Sequence, residues 1–542
     1  MIKKLLVILA FLLVIGYSQA QYTFRADRTS VELKDTLVNA PENWFNLDSQ
    51  LDNVRGISTD RAYNELLKNK QTKTVIVAII DSGIETDHED LKGKIWVNPN
   101  EIVGNGIDDD KNGYVDDING WNFIGNPKGE MINQDNLEMT RLYVKLKKLY
   151  DGKSASDFKG KQLSEFNLYQ EVKNDFEKEH AEAQQNSELY QNILASYENA
   201  DELIKKELNK DSYTTEDLKS ITNEDAKVKQ AVQMLLYLNM LNVKYDDLKE
   251  AVKYFNDRLE YNLNPEFEPR SLVGDNYDNL SEKNYGNNSV EGPDAMHGTH
   301  VAGIIGANRE NQVGIKGIAS DIKIMVIRTV PNGDERDKDV ANSIYYAVDN
   351  GAKVINMSFG KDYSPYKEVV DKAVQYADKK GVLMIHAAGN DSRNNDVKKN
   401  YPNPEYIKPK KECRNWIEVG ASSWKTGAEF VANFSNYGQK SVDVFAPGVD
   451  IFSSVPDNTY KKESGTSMAA PMVTGLAALI WSYYPNLKAS DIKKIIMESA
   501  TKYTDEIVSL PGQESKSGFG KLSKTGGVIN AYNALKMAES YK

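Results

Sequence analysis

Cysteine is all but missing from this chain: there is one, Cys413, in 542 residues. No intramolecular disulfide can form, so stability in an oxidising compartment has to come from packing, bound metal or both. Cys413 stands in a Lys-, Glu- and Arg-rich stretch and reads as an ordinary thiol. Positive charge is also short. Lys and Arg number 67 against 79 Asp and Glu, for a net charge of -12. That balance argues against a nucleic-acid binder, which must neutralise phosphates with a basic surface. After the first twenty residues no segment offers the roughly 20 apolar residues of a membrane span. Histidine is scarce, at five.

The start of the chain is different. Lys3 and Lys4 precede an apolar run over residues 5–15, and Gly16, Ser18 and Ala20 follow. A charged start, a short apolar stretch and a small-residue ending read as a secretory signal peptide over residues 1–20, cut after Ala20. No cysteine lies near this cut, so a lipoprotein anchor has no attachment residue. The expectation is a secreted or periplasmic protein without a stable membrane anchor.

Beyond residue 70 the pattern is α/β. The β-branched run over residues 74–80 reads as a buried strand ending at Asp81-Ser82-Gly83. Further strands are expected over 322–328, 354–357, 382–387, 416–420 and 442–445. Helices are expected over 60–68, 340–350, 366–379, 467–483 and 489–500. Alternating strands and helices predict a mostly parallel sheet flanked by helices, with ligands bound beyond the strands' C-terminal ends. Between residues 137 and 259 proline disappears, glycine is rare, and Lys, Glu, Leu and Tyr dominate. Helical spacing at Leu142, Leu146 and Leu149, and at Met234, Leu238 and Leu241, predicts an inserted α-helical region, drawn as a hairpin of long helices. Its many charges read as a solvated helix face.

Three segments carry chemistry. Asp81-Ser82-Gly83 ends a buried strand. His297-Gly298-Thr299-His300 leads into an apolar helix. Gly465-Thr466-Ser467-Met468-Ala469 leads into another. A serine hydroxyl is a poor nucleophile at neutral pH. It needs a base, and the base needs a group that fixes its tautomer. These segments, in the order Asp, His, Ser, resemble the signature motifs of the subtilases, the subtilisin-like serine peptidases of family S8. The match covers about residues 55–130 and 290–535. The resemblance implies a subtilisin-like fold and a serine endopeptidase acting on polypeptides. It makes Ser467 the nucleophile, His297 the general base and Asp81 the group that orients His297. It also implies that Asn390, after Ala387-Ala388-Gly389, donates to the oxyanion with the Ser467 backbone N–H.

Ser358-Phe359-Gly360 resembles the family's substrate-bordering segment and is expected to pair with an extended substrate. With Ala387, Ala388 and Gly389 it would form an uncharged pocket, which suggests large apolar or aromatic residues before the cut. The resulting organisation is a signal peptide at 1–20, an N-terminal extension at 21–54, a peptidase domain at 55–135 and 264–542, and a helical insertion at 136–263. Only about 50 residues lie between Ala20 and Lys70, too few for the full inhibitory propeptide domain that many subtilases carry. No separate domain is expected after the last helix.

A second signal lies in the Gly-, Asp- and Asn-rich loop over residues 98–129. Asp108, Asp110 and Asn112 alternate, Gly113 allows a sharp turn, and Tyr114 can offer its carbonyl. That matches the first positions of an EF-hand-like calcium loop, with Asp116 and Asp117 completing the oxygen shell. Asn119 stands where an EF-hand has its bidentate Glu. A structural calcium ion is the expected cofactor. Zinc is not expected at His297 and His300, which have no third ligand. His88 reads as structural, His386 as a satisfied core residue and His180 as exposed.

The insertion separates Asp81 from His297 by 216 positions, far more than in compact subtilases. It is open to being a lid, a substrate-selecting arm or a surface for a partner. The competing reading of the whole chain is a non-catalytic binding protein that presents this arm on a subtilase scaffold.

Overall fold

A computed structural model describes residues 39–541. The expected signal peptide and the first part of the N-terminal extension lie outside the described residues. The chain divides into two compact units, one being Met139–Phe267 and the other the described residues on either side of it.

The larger unit contains β1 (Val75–Asp81), β2 (Gly120–Asn122), β3 (Ile322–Arg328), β4 (Val354–Met357), β5 (Leu383–Ala387), β6 (Trp416–Ser422) and β7 (Val444–Pro447). Four further strands follow in two ribbons: β8 (Ile451–Val455) with β9 (Thr459–Glu463), and β11 (Ile507–Ser509) with β12 (Lys516–Gly518). The short β10 (Thr501–Lys502) and β13 (Gly527–Val528) complete a nine-stranded sheet of order β10-β13-β7-β6-β5-β4-β1-β3-β2. All its pairings are parallel except β10 with β13. The sheet therefore has the expected α/β form.

Both faces of the sheet are covered, which is why its strands read as continuous apolar runs. Alternate residues belong to different cores. Val77 and Ile79 of β1 pack in one cluster with the helices Met296–Gly306 and Thr466–Tyr483. Ala78 and Ile80 pack in another with the helices Asp337–Asp349 and Lys367–Lys380. The period-two alternation of a strand thus sorts its side chains into two helical layers. Parallel β1 and β3 end in register at Asp81 and Arg328, and β4 and β5 at Met357 and His386. The motif residues follow these C-terminal ends.

The smaller unit differs from the expected hairpin of long helices. One helix, Gly160–Leu208, runs for 49 residues. The other main helices are short: Glu138–Tyr150, Ala226–Met240 and Tyr245–Asp257. Local stop and start signals explain the difference. Asn209 adopts a left-handed C-cap at φ 48° and ends the long helix. Asp225 caps the next main helix through Lys227 and Val228 N–H, and Asn242 takes φ 53° beyond its end. Phe166, Tyr169, Val172 and Phe176 make a buried stripe on the long helix. Tyr143 stacks on Phe176 at 4.3 Å, and Phe255 on Tyr190 at 5.5 Å.

Candidate active site

Asp81 is the last residue of β1 and is nearly inaccessible. Its Oδ1 accepts from Ser82 N–H at 2.8 Å and from His297 Nδ1 at 2.7 Å. A carboxylate only accepts, so Nδ1 carries the proton and Nε2 of the neutral ring is left as an acceptor. His297 lies in the first turn of the helix Met296–Gly306, with 36% of its side chain exposed. Burial pushes its pKa down. The adjacent Asp81 carboxylate, by charge and hydrogen bond, outweighs that, with help from Glu463 and Asp294, and the pKa is raised above 6.5.

The helix reaches Asp81 because two glycines meet. A Cβ on Gly298 would lie 2.1 Å from the Gly83 carbonyl oxygen. Gly83 has φ 125°, and a Cβ there would lie 1.8 Å from the Glu291 carbonyl oxygen. The glycines of both motifs are therefore packing requirements. Arg328, at the end of β3, is fully buried and donates to Ser82 carbonyl at 2.9 Å, to Asn122 Oδ1 at 3.2 Å and to Ile132 carbonyl at 2.6 Å. Burial pushes its guanidinium down to about 10. It secures the Asp81 turn, and sequence reasoning missed it because Arg328 looks like the polar end of a strand.

Ser467 is the second residue of the helix Thr466–Tyr483. Its Oγ donates to the Ser358 carbonyl at 3.0 Å. In return, Ser358 Oγ donates to the Ser467 carbonyl at 2.9 Å. That carbonyl would normally accept from the N–H four residues on, but Pro471 has none. Ser358 supplies the missing donor. Asn356 Nδ2 in turn donates to Ser358 Oγ at 2.9 Å, and Thr474 Oγ1 to Asn356 Oδ1 at 2.8 Å. A polar chain thus fixes the end of β4 to the Ser467 helix.

Asn390 Oδ1 accepts from Thr466 N–H at 2.9 Å and from Thr466 Oγ1 at 3.0 Å. This fixes the amide so that Nδ2 faces the other way. The position a Cβ on Gly465 would take lies 3.5 Å from Asn390 Nδ2 and 3.5 Å from Ser467 N. Two donors converge over a residue without a side chain, at the positive end of a helix. Thr466 also accepts from Gly389 N–H at 3.1 Å. Its place before the serine gave no sign of this dual role.

The segments after β4 and β5 border the same region. Ser358, Ala387 and Ala388 are buried, Phe359 and Gly389 are half-buried, and Gly360 is exposed. His300 has burial pushing its pKa down to about 4, and its Nε2 donates to Ile451 and Lys461 carbonyls at 3.0 and 3.2 Å. It ties the His297 helix to the β8–β9 ribbon. His88 is buried, with Nδ1 accepting from Asp90 N–H at 3.1 Å. His386 is buried and pairs through Nδ1 with Glu418 at 2.9 Å, while Nε2 has no hydrogen-bond partner. His180 is half-buried beside Phe176 rather than exposed. Cys413 is buried, which pushes its thiol up to about 12.

In the acidic loop, oxygens of Glu101, Asp110 and Asp117 lie within 4.8 Å of one another. This buried cluster could hold a metal ion. Burial pushes Asp117 up to about 6, and Tyr346 donates to it at 2.5 Å. Asp108 accepts from Asn112 N–H at 3.0 Å and Gly113 N–H at 2.9 Å, shaping the turn. Asn112 Nδ2 donates to Asp117, and Tyr114 packs edge-on against Trp121. Asp116 accepts from Gly104 and Gly106 N–H at 2.9 and 2.8 Å. Glu101 was missed in the sequence because it precedes the alternating motif; an isolated acid just before a Gly-Asn-Gly turn was its only signal.

Similarity to known proteins follows the same map. The Subtilase family (peptidase S8) profile matches residues 72–520. The thermophilic serine proteinase of Bacillus sp. (strain AK1) is 40% identical over 240 residues, covering 44% of this chain and 52% of that protein. Subtilisin DY of Bacillus licheniformis is 36% identical over 213 residues, covering 39% of this chain and 72% of that one. A solved protease structure from Pseudoalteromonas arctica aligns with 48% of this chain and 81% of its own at 27% identity and a TM-score of 0.38. The match thus spans about half the length of the Bacillus AK1 proteinase. With the profile matching most of its length, the chain belongs to the subtilase family.

Proposed function

We propose that this subtilase is an exported serine endopeptidase that cleaves polypeptides through Asp81, His297 and Ser467. The observation that carries the reading is the 2.7 Å hydrogen bond from His297 Nδ1 to Asp81, which leaves Nε2 free to take a proton. Ser467 Oγ rotates away from the Ser358 carbonyl and attacks the scissile carbonyl carbon while His297 Nε2 accepts its proton. Asp81 stabilises the imidazolium that forms. The developing oxyanion is met by Asn390 Nδ2 and Ser467 N–H, worth about 3 to 4 kcal/mol for a single such donor. His297 then gives its proton to the leaving amine as the C–N bond breaks, leaving an acyl-enzyme. Water, deprotonated by the same ring, releases the acid and restores the serine.

Calcium is the proposed ion of the acidic loop. The donors are all hard oxygens, and a buried carboxylate cluster needs a cation to offset its mutual repulsion. Glu101, Asp110 and Asp117 would hold it, with its role structural. Export rests on Lys3, Lys4 and the apolar run that follows. Among the described residues no helix is long and apolar enough to cross a membrane.

The test uses protein collected from culture fluid or periplasm, where Gln21 is the expected first residue. Wild type should hydrolyse casein and become labelled at Ser467 by a fluorophosphonate. Ser467→Ala should lose at least about 10⁴-fold in kcat/KM and all labelling. Folded wild-type protein that neither cuts nor labels would favour the binding-scaffold reading.

A further inference from the structure

The turn that follows Asp81 runs on through Ile84 and Glu85, and three other segments meet it there. Ile84 N–H donates to Val290 carbonyl at 3.3 Å, which brings Glu291 alongside. Glu85 N–H donates to Thr299 Oγ1 at 2.9 Å, in the helix that carries His297. Glu85 Oε1 accepts from Asp457 N–H at 2.8 Å, at the tip between β8 and β9. Asp457 and Asn458 take φ 66° and 53°, and Asn458 Oδ1 accepts from Glu89 N–H at 2.7 Å. The tip is thus tied to the chain that leaves the catalytic aspartate.

Four carboxylates therefore gather on the His297 side of the triad: Glu85, Asp87, Glu291 and Asp457. Glu85 is 9% exposed, and its Oε2 is buried with no hydrogen-bond partner. Among the described residues none of the four enters an ion pair. The nearby lysines of β9 are engaged elsewhere, Lys461 with Glu463 at 2.9 Å and Lys462 with Ala40 carbonyl at 3.0 Å. Partial desolvation, followed by the charges of Glu85, Asp87 and Asp457, raises the Glu291 carboxyl above its ordinary value. Glu463 and Asp294 extend the negative field to His297 itself. A carboxylate oxygen kept from water without a donor costs free energy until a donor or a cation meets it.

The spread of these groups decides between two kinds of cation. A metal ion needs its oxygens around one point. Among the described residues only Glu101, Asp110 and Asp117 offer three such atoms within 4.8 Å of one another. A guanidinium is extended and planar, and its fork of N–H donors can serve separate carboxylates at once. We propose that Glu85, Glu291 and Asp457 form a subsite for an arginine of the polypeptide substrate, placed close to the cut but not immediately before it. This rests on the peptidase reading above. The subsite is separate from the uncharged segments 358–360 and 387–389, so it adds a charge requirement at another substrate position. Glu85 Oε2 takes the innermost N–H, and Glu291 and Asp457 hold the outer ones. The same acids draw cationic polypeptides toward the cleft before they dock.

The experiment uses internally quenched peptides that share one cleavable bond and carry a single Arg, Gln or Glu, moved one position at a time along both sides of the cut. Competent sites are first counted by fluorophosphonate labelling. At one position wild type should favour Arg over Gln by about tenfold in kcat/KM, the low end of the gain a charged cleft gives. That advantage should shrink as salt shortens the screening length from about 10 Å to about 3 Å. Glu291→Gln and Asp457→Asn, both at exposed positions, should each lower the Arg-to-Gln ratio severalfold. Glu85→Gln, which keeps an acceptor for Asp457 N–H, should level it. Taking the ratio within each protein cancels any general change in activity. A labelled wild type that prefers Arg at no position overturns the subsite and leaves the peptidase reading intact. A preference that survives in all three variants does the same. A calcium-dependent rise in Tm of the Ser467→Ala, Asp110→Asn protein that disappears on adding Glu85→Gln would make the occupant a metal ion and overturn the arginine subsite. Absence of labelling in folded wild type overturns both readings.

Discussion

At the scale of single residues, the site is governed by who holds which proton. His297 is raised because the Asp81 carboxylate outweighs the burial of the ring. The neutral ring is the reactive form, so kcat/KM should rise with pH through a midpoint above the ordinary imidazole value near 6.5. Asp81→Asn should move that limb to lower pH and reduce kcat by about 10⁴-fold, because the amide no longer fixes the tautomer. The sign for stability is the opposite. A raised histidine stabilises the fold below its unfolded pKa, and that contribution is lost as pH rises through the folded value. Thermal melts of the inactive Ser467→Ala variant between pH 6 and 9, with and without Asp81→Asn, check this. A limb that stays in place in Asp81→Asn would show that Asp81 does not control the ring. Asn390 offers a separate readout: Asn390→Ala should lower kcat by about 10² to 10³-fold with KM little changed. These residues were legible because their chemistry demands fixed types beside fixed glycines. Thr466, Arg328 and Ser358 Oγ were not, because a hydrogen bond to a carbonyl or an amide oxygen can come from many residue types.

At the scale of elements, the long central strands and the helices flanking them were readable, and the short strands and the ribbons after β7 were not. Buried β1 and β4 appear as apolar runs with no charge inside them, β3 carries only Lys323 inside its run, and β3 and β4 match their expected ranges. The three-residue β2, Gly120–Asn122, was invisible because it has no periodicity to detect. The acidic loop shows how a motif can be right in character and incomplete in membership. Its turn chemistry is written in Asp108, Asn112 and Gly113, whereas Glu101 arrives through the fold of the loop back on itself. Glu101 Oε1 accepts from Asp109 N–H at 2.9 Å and Oε2 from Asp116 N–H at 3.1 Å, so it fastens both ends of the acidic run. If calcium sits there, it should add about 2.7 kcal/mol of stability at one hundred times its Kd, or several degrees in Tm. The measurement is a melt of Ser467→Ala in calcium and in chelator, which removes self-digestion as a cause of loss. Asp110→Asn should abolish the difference between the two conditions. Equal melting temperatures for the unmodified loop would count against the ion.

At the scale of the whole molecule, the question is how one sequence accommodates 129 residues, Met139–Phe267, between two catalytic motifs. The cost of closing a loop grows only logarithmically with its length. A segment with its own apolar interior does not even behave as a loop. Ile204, Leu218, Val228 and Leu235 form such an interior within the smaller unit, while Asp81, His297, Asn390 and Ser467 all belong to the larger one. That separation is why the family pattern stays readable on either side of the insertion, and why nothing in the pattern foretells what the insertion does. Replacing residues 139–267 by a flexible Gly/Ser linker should therefore leave fluorophosphonate labelling and the hydrolysis of short peptides within about twofold of wild type, as expected for parts that share no catalytic partner. If the arm selects substrates or holds a partner, the same deletion should change the rate on casein, or release a co-purifying protein, while the peptide rate stays put. Loss of both labelling and cooperative melting would show instead that the insertion belongs to the fold of the catalytic unit.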